Sequence, residues 1–151
     1  MELKKIMWPT DLSGRAEKAL PYINSLIEKY NTEIHVVYVI EDIAHHKSWY
    51  GDFEQETIKK IVKWEEKTAK ERLDLLCSGH LHGCPLYIKH VAVGDPAQEI
   101  LKLVEKEKVD AIVLTTRGAE GHYRFGSTAD KVVRNATVPV ITIPVDQETI
   151  A

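Results

Sequence analysis

Apolar residues follow two rhythms along this chain, and the rhythms alternate. "KKIMW" is a short apolar run that stops at Pro9, and "TDLSGRAEKALPYINSLIEKY" then sets Ala16, Ala19, Leu20, Ile23, Leu26, Ile27 and Tyr30 at helical spacing. That pattern predicts a strand followed by a helix. "EIHVVYVI" is rich in β-branched residues and predicts a second strand buried on both faces, as in parallel sheets. From about Glu54 to Cys77, Ile58, Ile61, Val62, Ala69, Leu73 and Leu76 share one face, which predicts a second helix that "SGHLHGCP" breaks. "LYIKHVAV" is the third strand. "DPAQEILKLVEKEK" is the third helix, with Pro96 suited to its first turn, and "DAIVLTT" is the fourth strand. Beyond a glycine-containing stretch, Ala129, Val132, Val133 and Ala136 mark a fourth helix, and "VPVITIPV" is the fifth strand.

Strand and helix in strict alternation imply a particular architecture. Parallel strands need crossover connections, these are right-handed, and the helices therefore cover both faces of one open sheet. The predicted class is α/β: one domain over residues 1–151, with a five-stranded parallel sheet, Rossmann-like and doubly wound. Such sheets bind ligands outside the carboxyl ends of their strands, where the strand order reverses. The segments that lie there are "WPTDLSG", "YVIEDIAHH", "AVGDPAQ" and "TTRGAEGHYRFGST".

Composition narrows the setting. A chain of 151 residues, 44% hydrophobic and 28% charged, suits one ordinary globular domain with a sizeable core. No apolar run approaches the roughly 18 to 20 residues of a membrane span, and "MELKKIMWPTDLS" lacks the apolar stretch of a secretory signal. Two cysteines suit a reducing compartment, so a cytoplasmic location without membrane association is expected. The formal net charge of -3 argues against nucleic acid as an obligate partner.

"TTRGAEGHYRFGSTADK", Thr115 to Lys131, is the most chemically loaded segment. Gly118, Gly121 and Gly126 let backbone amides approach a ligand closely, and Ser127 and Thr128 open the fourth helix. A helix start presents unpaired N–H donors and the positive end of the dipole, which suits phosphate oxygens. The plainer reading stands beside it: Ser127 caps the helix, Asp130 reaches back in a capping box, and the glycines make a turn. Neither G-x-x-x-x-G-K-[ST] nor a G-x-G-x-x-G after the first strand occurs, which argues against P-loop enzymes and dinucleotide-dependent dehydrogenases.

"PTDLS", "VYVIED", "VGDPAQEIL", "VDAIVLTTRG" and "GSTADKVVRNATVPVITI", in that order over essentially the whole chain, resemble the universal stress protein family. The resemblance implies an adenine-nucleotide-binding α/β fold, usually a homodimer formed through the last strand. It implies that Pro9, Thr10 and Asp11 form the first nucleotide-contacting segment, and that Val39 lies against the adenine. Thr115, Arg117, Gly118, Gly121, Gly126, Ser127 and Thr128 fall in the loop and helix start that hold ribose and phosphates. The implied ligand is ATP or a related adenine nucleotide, with Mg²⁺. ATP-binding members carry G-x2-G-x9-G-[ST] here, and this chain departs from it. Thr115 stands where the first glycine would be, and only the seven residues "AEGHYRF" separate Gly118 from Gly126. Two functions therefore stay open: an ATP-binding stress or signalling protein, and a nucleotide-free dimeric scaffold of the same fold.

No catalytic set stands out. His122 and Arg124 lie in the glycine loop, and the expected activity is at most slow ATP hydrolysis, with Mg²⁺ held by Asp11 and phosphate oxygens. Thr10 and Asp11 also suit a helix N-cap. Cys77, His80, His82 and Cys84 offer four zinc-type ligands, but Gly79 and Gly83 favour reading "CSGHLHGC" as a turn; a metal-responsive regulator is the third functional class. Trp49, Tyr50 and Phe53 are expected to pack on a helix or a partner subunit. The apolar fifth strand, Val138 to Val145, is the expected homodimer contact.

Overall fold

β1 (Lys5–Pro9) occupies the centre of the sheet, and its burial shows why the chain begins there. Ile6, Met7 and Trp8 are each 0% exposed, because β1 is flanked by strands on both sides and covered by helices on both faces. The computed structural model describes residues 2–41, 55–80, 87–116 and 126–145. The other strands are β2 (Glu33–Glu41), β3 (Tyr87–Gly94), β4 (Ala111–Thr115) and β5 (Val140–Ile143). All pairings are parallel, in the order β3-β2-β1-β4-β5. The alternating rhythm thus yields the doubly wound α/β fold, and β3 and β5 form the sheet edges.

The helices are α1 (Leu20–Tyr30), α2 (Gln55–His80), α3 (Pro96–Glu107) and α4 (Ser127–Asn135). Alternate strand residues face opposite sides. Ile6, Trp8, Ile34, Val36, Ala111 and Val113 pack with Leu20, Ile23 and Ile27 of α1 and Leu73, Leu76 and Cys77 of α2. Met7, Val37, Ile112 and Leu114 pack with Ala97, Ile100 and Val104 of α3 and Ala129 and Val132 of α4. Two cores therefore share one sheet. No helix among the described residues is long and apolar enough to cross a membrane.

Local chemistry sets the element boundaries. Asp95 caps α3 by accepting a hydrogen bond from the Gln98 amide at 3.1 Å, and Pro96 follows in the first turn, where its missing N–H costs nothing. Asn31 and Lys108 end α1 and α3 in the left-handed conformation, with amides bonded back to Ile27 and Val104. Some expectations shift. Ala16–Ala19 forms a 3₁₀ turn ahead of α1, because Pro21 suits only the first turn of an α-helix. α2 runs on through Ser78, Gly79 and His80, since Leu76 and Cys77 are buried and carry the helical face past the expected break. Tyr30 is exposed, being the last residue of α1 and beyond the edge of its buried stripe. β5 is shorter than Val138 to Val145, with Pro139 and Pro144 flanking it.

Replacing Asp95 with alanine removes the cap of α3 while leaving its buried face intact. Urea unfolding is expected to show a loss of about 1 kcal/mol, and an unchanged midpoint would contradict that role.

Candidate functional site

Because β2 and β4 lie on opposite sides of β1, the chain leaves the sheet centre in both directions and the strand order reverses there. A cleft of about 1180 Å³ opens above the carboxyl ends of these strands. Pro9, Thr10 and Asp11 line it from the end of β1, Val39 from β2, Thr115 from β4, and Gly126, Ser127 and Thr128 from the start of α4. These expected residues converge on one cavity. Arg117, Gly118 and Gly121 lie outside the described residues, as do His122, Arg124, Trp49, Tyr50, Phe53, His82 and Cys84. Cys77 is buried in the core cluster at the end of α2.

The segment after β1 is held by its own polar side chains. The Thr10 amide donates to the Val37 carbonyl at 2.9 Å, and Thr10 Oγ1 accepts from the Leu12 amide at 3.0 Å. Asp11 Oδ1 accepts from the Ser13 amide at 2.9 Å. Thr10 and Asp11 thus brace a tight turn, correcting the N-cap expectation: the next helical residue is Ala16, too far along for either to cap. Leu12 takes φ 63, a left-handed conformation costly for a leucine and tolerated where the surroundings fix it.

At the start of α4, Gly126 occupies the N-cap with φ -70 and ψ 165, ordinary extended backbone. Its amide donates to the Thr116 carbonyl at 2.6 Å, tying the end of β4 to the beginning of α4. The first bond of the helix runs from the Asp130 amide to the Gly126 carbonyl at 2.9 Å, so the amides of Ser127, Thr128 and Ala129 have no acceptor within the helix. Among the described residues, no side chain caps α4. This corrects the expected Ser127 cap and Asp130 capping box: Asp130 Oδ1 instead accepts from Arg134 Nε at 3.0 Å, one turn further along. Among the described residues, none occupies the helix start.

Three cleft residues escaped the sequence reasoning. Thr116 is 4% exposed, and its Oγ1 has no hydrogen-bond partner among the described residues. Trp64 and Arg72 reach the cleft from α2, Trp64 with 66% of its surface exposed. Thr116 follows directly on a strand, and an orphaned hydroxyl there emerges only from the tertiary structure. Trp64 and Arg72 sit on positions of α2 that the helical pattern assigns to solvent. Electrostatically, the Arg72 guanidinium and the α4 dipole offset the carboxylates of Asp11, Glu41 and Glu65 around the rim.

The universal stress protein family model matches residues 2–144. The chain belongs to the universal stress protein family. It is 29% identical over 142 residues to universal stress protein MJ0531 of Methanocaldococcus jannaschii, spanning 93% of this chain and 81% of that one. The solved structure of MJ0577, from the same organism, superposes with a TM-score of 0.78 at 25% identity, covering 97% of this chain and 99% of that one. A universal stress protein of Archaeoglobus fulgidus, solved in complex with dAMP, superposes with a TM-score of 0.56 at 23% identity, covering 95% of this chain and 99% of that one. The fold of this family member is therefore shared along nearly its whole length.

A buried hydroxyl without a partner is a cost carried by the unliganded protein. Thr116→Val keeps the shape and removes the orphan, so the ligand-free protein is expected to gain about 1 kcal/mol in chemical unfolding. A clear loss of stability would mean that the hydroxyl is already satisfied.

Proposed function

We propose that this protein is an adenine-nucleotide-binding member of its family, working as a cytoplasmic stress or signalling protein whose ligand state alters its affinity for partners. The observation that carries the reading is the first turn of α4, which no side chain caps among the described residues, beside the buried Thr116, whose Oγ1 has no partner among the described residues; both line one cleft. In this reading the Ser127, Thr128 and Ala129 amides and the Ser127 and Thr128 hydroxyls hold phosphate oxygens. Val39 packs against the base, and Asp11 accepts from the ligand or holds Mg²⁺ with the phosphates. The complex of the Archaeoglobus relative with dAMP supports an adenine nucleotide as the ligand class. The nucleotide-free scaffold is the second reading, favoured by Thr115 in place of a glycine and by the short spacing from Gly118 to Gly126.

Calorimetry with ATP, AMP and cAMP, with and without Mg²⁺, tests the first reading. One nucleotide per chain is expected, and Gly126→Val is expected to weaken binding at least ~10-fold, about 1.4 kcal/mol. Gly126 has backbone angles open to valine, so the variant should keep the fold without ligand, losing no more than about 1 kcal/mol because valine is the poorer N-cap. No heat and no thermal shift at ~1 mM nucleotide, where even weak sites fill, would establish the scaffold instead.

We also propose a homodimer joined through β5. This edge strand presents Ile141, 37% exposed, and among the described residues it pairs with a strand on one side alone, which suits pairing with a second copy. Ile141→Lys places a charge on that edge, and light scattering should report the monomer mass where the parent gives twice that value. A variant that stays dimeric sinks this assignment.

A further inference from the structure

Near the amino end of β2, outside the residues that line the cleft, two histidines from neighbouring strands meet. His35 of β2 is 1% exposed, and its Nδ1 lies 2.9 Å from Nε2 of the half-buried His90 of β3. The ring centroids are 5.2 Å apart with planes 12° from parallel, a separation that leaves the two nitrogens facing each other along the line of centres. On the far side of the His35 ring, Nε2 lies 2.9 Å from Glu33 Oε1. That carboxylate can only accept, so Nε2 carries a proton, Nδ1 keeps its lone pair, and the His90 Nε2–H donates to it. Burial first, and then the facing His35 ring, hold His90 below the ordinary imidazole range, with Glu107 opposing and Lys106 reinforcing that shift.

Glu107, the last residue of α3, completes the group. One ligand atom from each of His35, His90 and Glu107 lies within 4.8 Å of the others. We propose that these three residues bind a divalent late-transition-metal ion of the zinc class, with Glu33 as the positioning residue that orients His35. Two imidazoles and one carboxylate are a zinc donor set, and a water would complete the tetrahedron. Bonds of ~2.0–2.1 Å at tetrahedral angles place ligand atoms ~3.3 Å apart. The two histidine nitrogens must move apart by ~0.4 Å and the rings must tilt so that both lone pairs aim at one point off the line of centres, while the Glu107 carboxylate closes in. His35 Nδ1 already offers its lone pair, and the His90 proton moves from Nε2 to Nδ1, so both imidazoles coordinate as neutral ligands and the two rings release no proton. The contact from Glu33 to the remote nitrogen of His35 is the carboxylate–histidine arrangement that fixes the tautomer and raises ligand basicity. The carboxyl end of α3 adds the negative end of its dipole, and the exposed Lys106 is the opposing charge.

Titration of the chelator-treated full chain with ZnCl₂, by calorimetry in two buffers of different protonation enthalpy, is the test. The expected result is one zinc per chain. His90→Asn and Glu107→Gln are each expected to lower the affinity at least ~10-fold, and Glu33→Gln by ~10-fold. Circular dichroism establishes that each variant is folded, and Glu107→Gln alters a helix end outside the core clusters, so it tests the site without disturbing the sheet. Cobalt(II) should give the absorption of a nitrogen- and oxygen-ligated ion without a thiolate charge-transfer band. The His82→Gln/Cys84→Ser double variant should bind zinc as the parent does. The proposal is overturned if the folded parent takes up no zinc at ~100 µM, if His90→Asn and Glu107→Gln leave affinity unchanged, or if the double variant is the one that loses the metal.

Discussion

Everything in this molecule depends on β1 being paired in parallel on both sides. Lys5 to Pro9 lie against Glu33 to Val37 on one side, and Ile6 and Met7 against Ala111 and Ile112 on the other. A strand so placed can expose no face and no edge, which is why its middle is Ile-Met-Trp. The same pairing forces the crossovers on its two sides onto opposite faces of the sheet, and that divergence opens the cleft. Asp110 reinforces the arrangement: its Oδ2 accepts from the Lys4 and Lys5 amides at 3.0 and 2.9 Å, fixing the entry of β4 against the entry of β1.

Much of the fold was legible because apolar periodicity reports burial, and burial decides which elements can be central. "KIMW", "EIHVVYVI" and "AIVL" are continuous runs because their strands are covered on both faces. Boundaries were less legible where two local effects compete. Pro21 converts the expected start of α1 into a 3₁₀ turn, and the burial of Leu76 and Cys77 carries α2 past Ser78 and Gly79 despite their poor helix propensity. The candidate site was legible to the extent that its residues sit at strand ends. Thr10, Asp11, Val39 and Thr115 did, and Gly126 was marked by the helix start that follows it; Trp64 and Arg72, on a helix from another part of the chain, carried no local signal. Thr116 is the instructive omission, since a threonine ending a strand is common, and only its burial without a partner distinguishes it.

The start of α4 shows how a cap and a binding site compete for the same donors. Had Ser127 or Asp130 folded back onto the first turn, those amides would be satisfied within the protein and a phosphate would have to displace them. Glycine at the N-cap supplies no side-chain acceptor, and the Arg134 guanidinium draws Asp130 away along the helix. With glycine at the N-cap the stability forgone is only a few tenths of a kcal/mol. Under the proposed function an anion on those amides would recover it, and such binding energy would belong to the liganded state alone.

β2 carries both proposed sites, with Glu33 and His35 near its amino end and Val39 near the other. Sharing a strand does not make them coupled. A ligand moves an equilibrium only through different affinities for two states, and coupling needs an element that has two arrangements. β2 is hydrogen-bonded to β1 and β3 along its length, with Ile34, Val36 and Val37 packed in the two cores, so it has one. A metal held by His35, His90 and Glu107 would instead cross-link β2, the edge strand β3 and the end of α3. Its effect should be confined to the opening of that edge, the part of the sheet secured by a strand on one side alone.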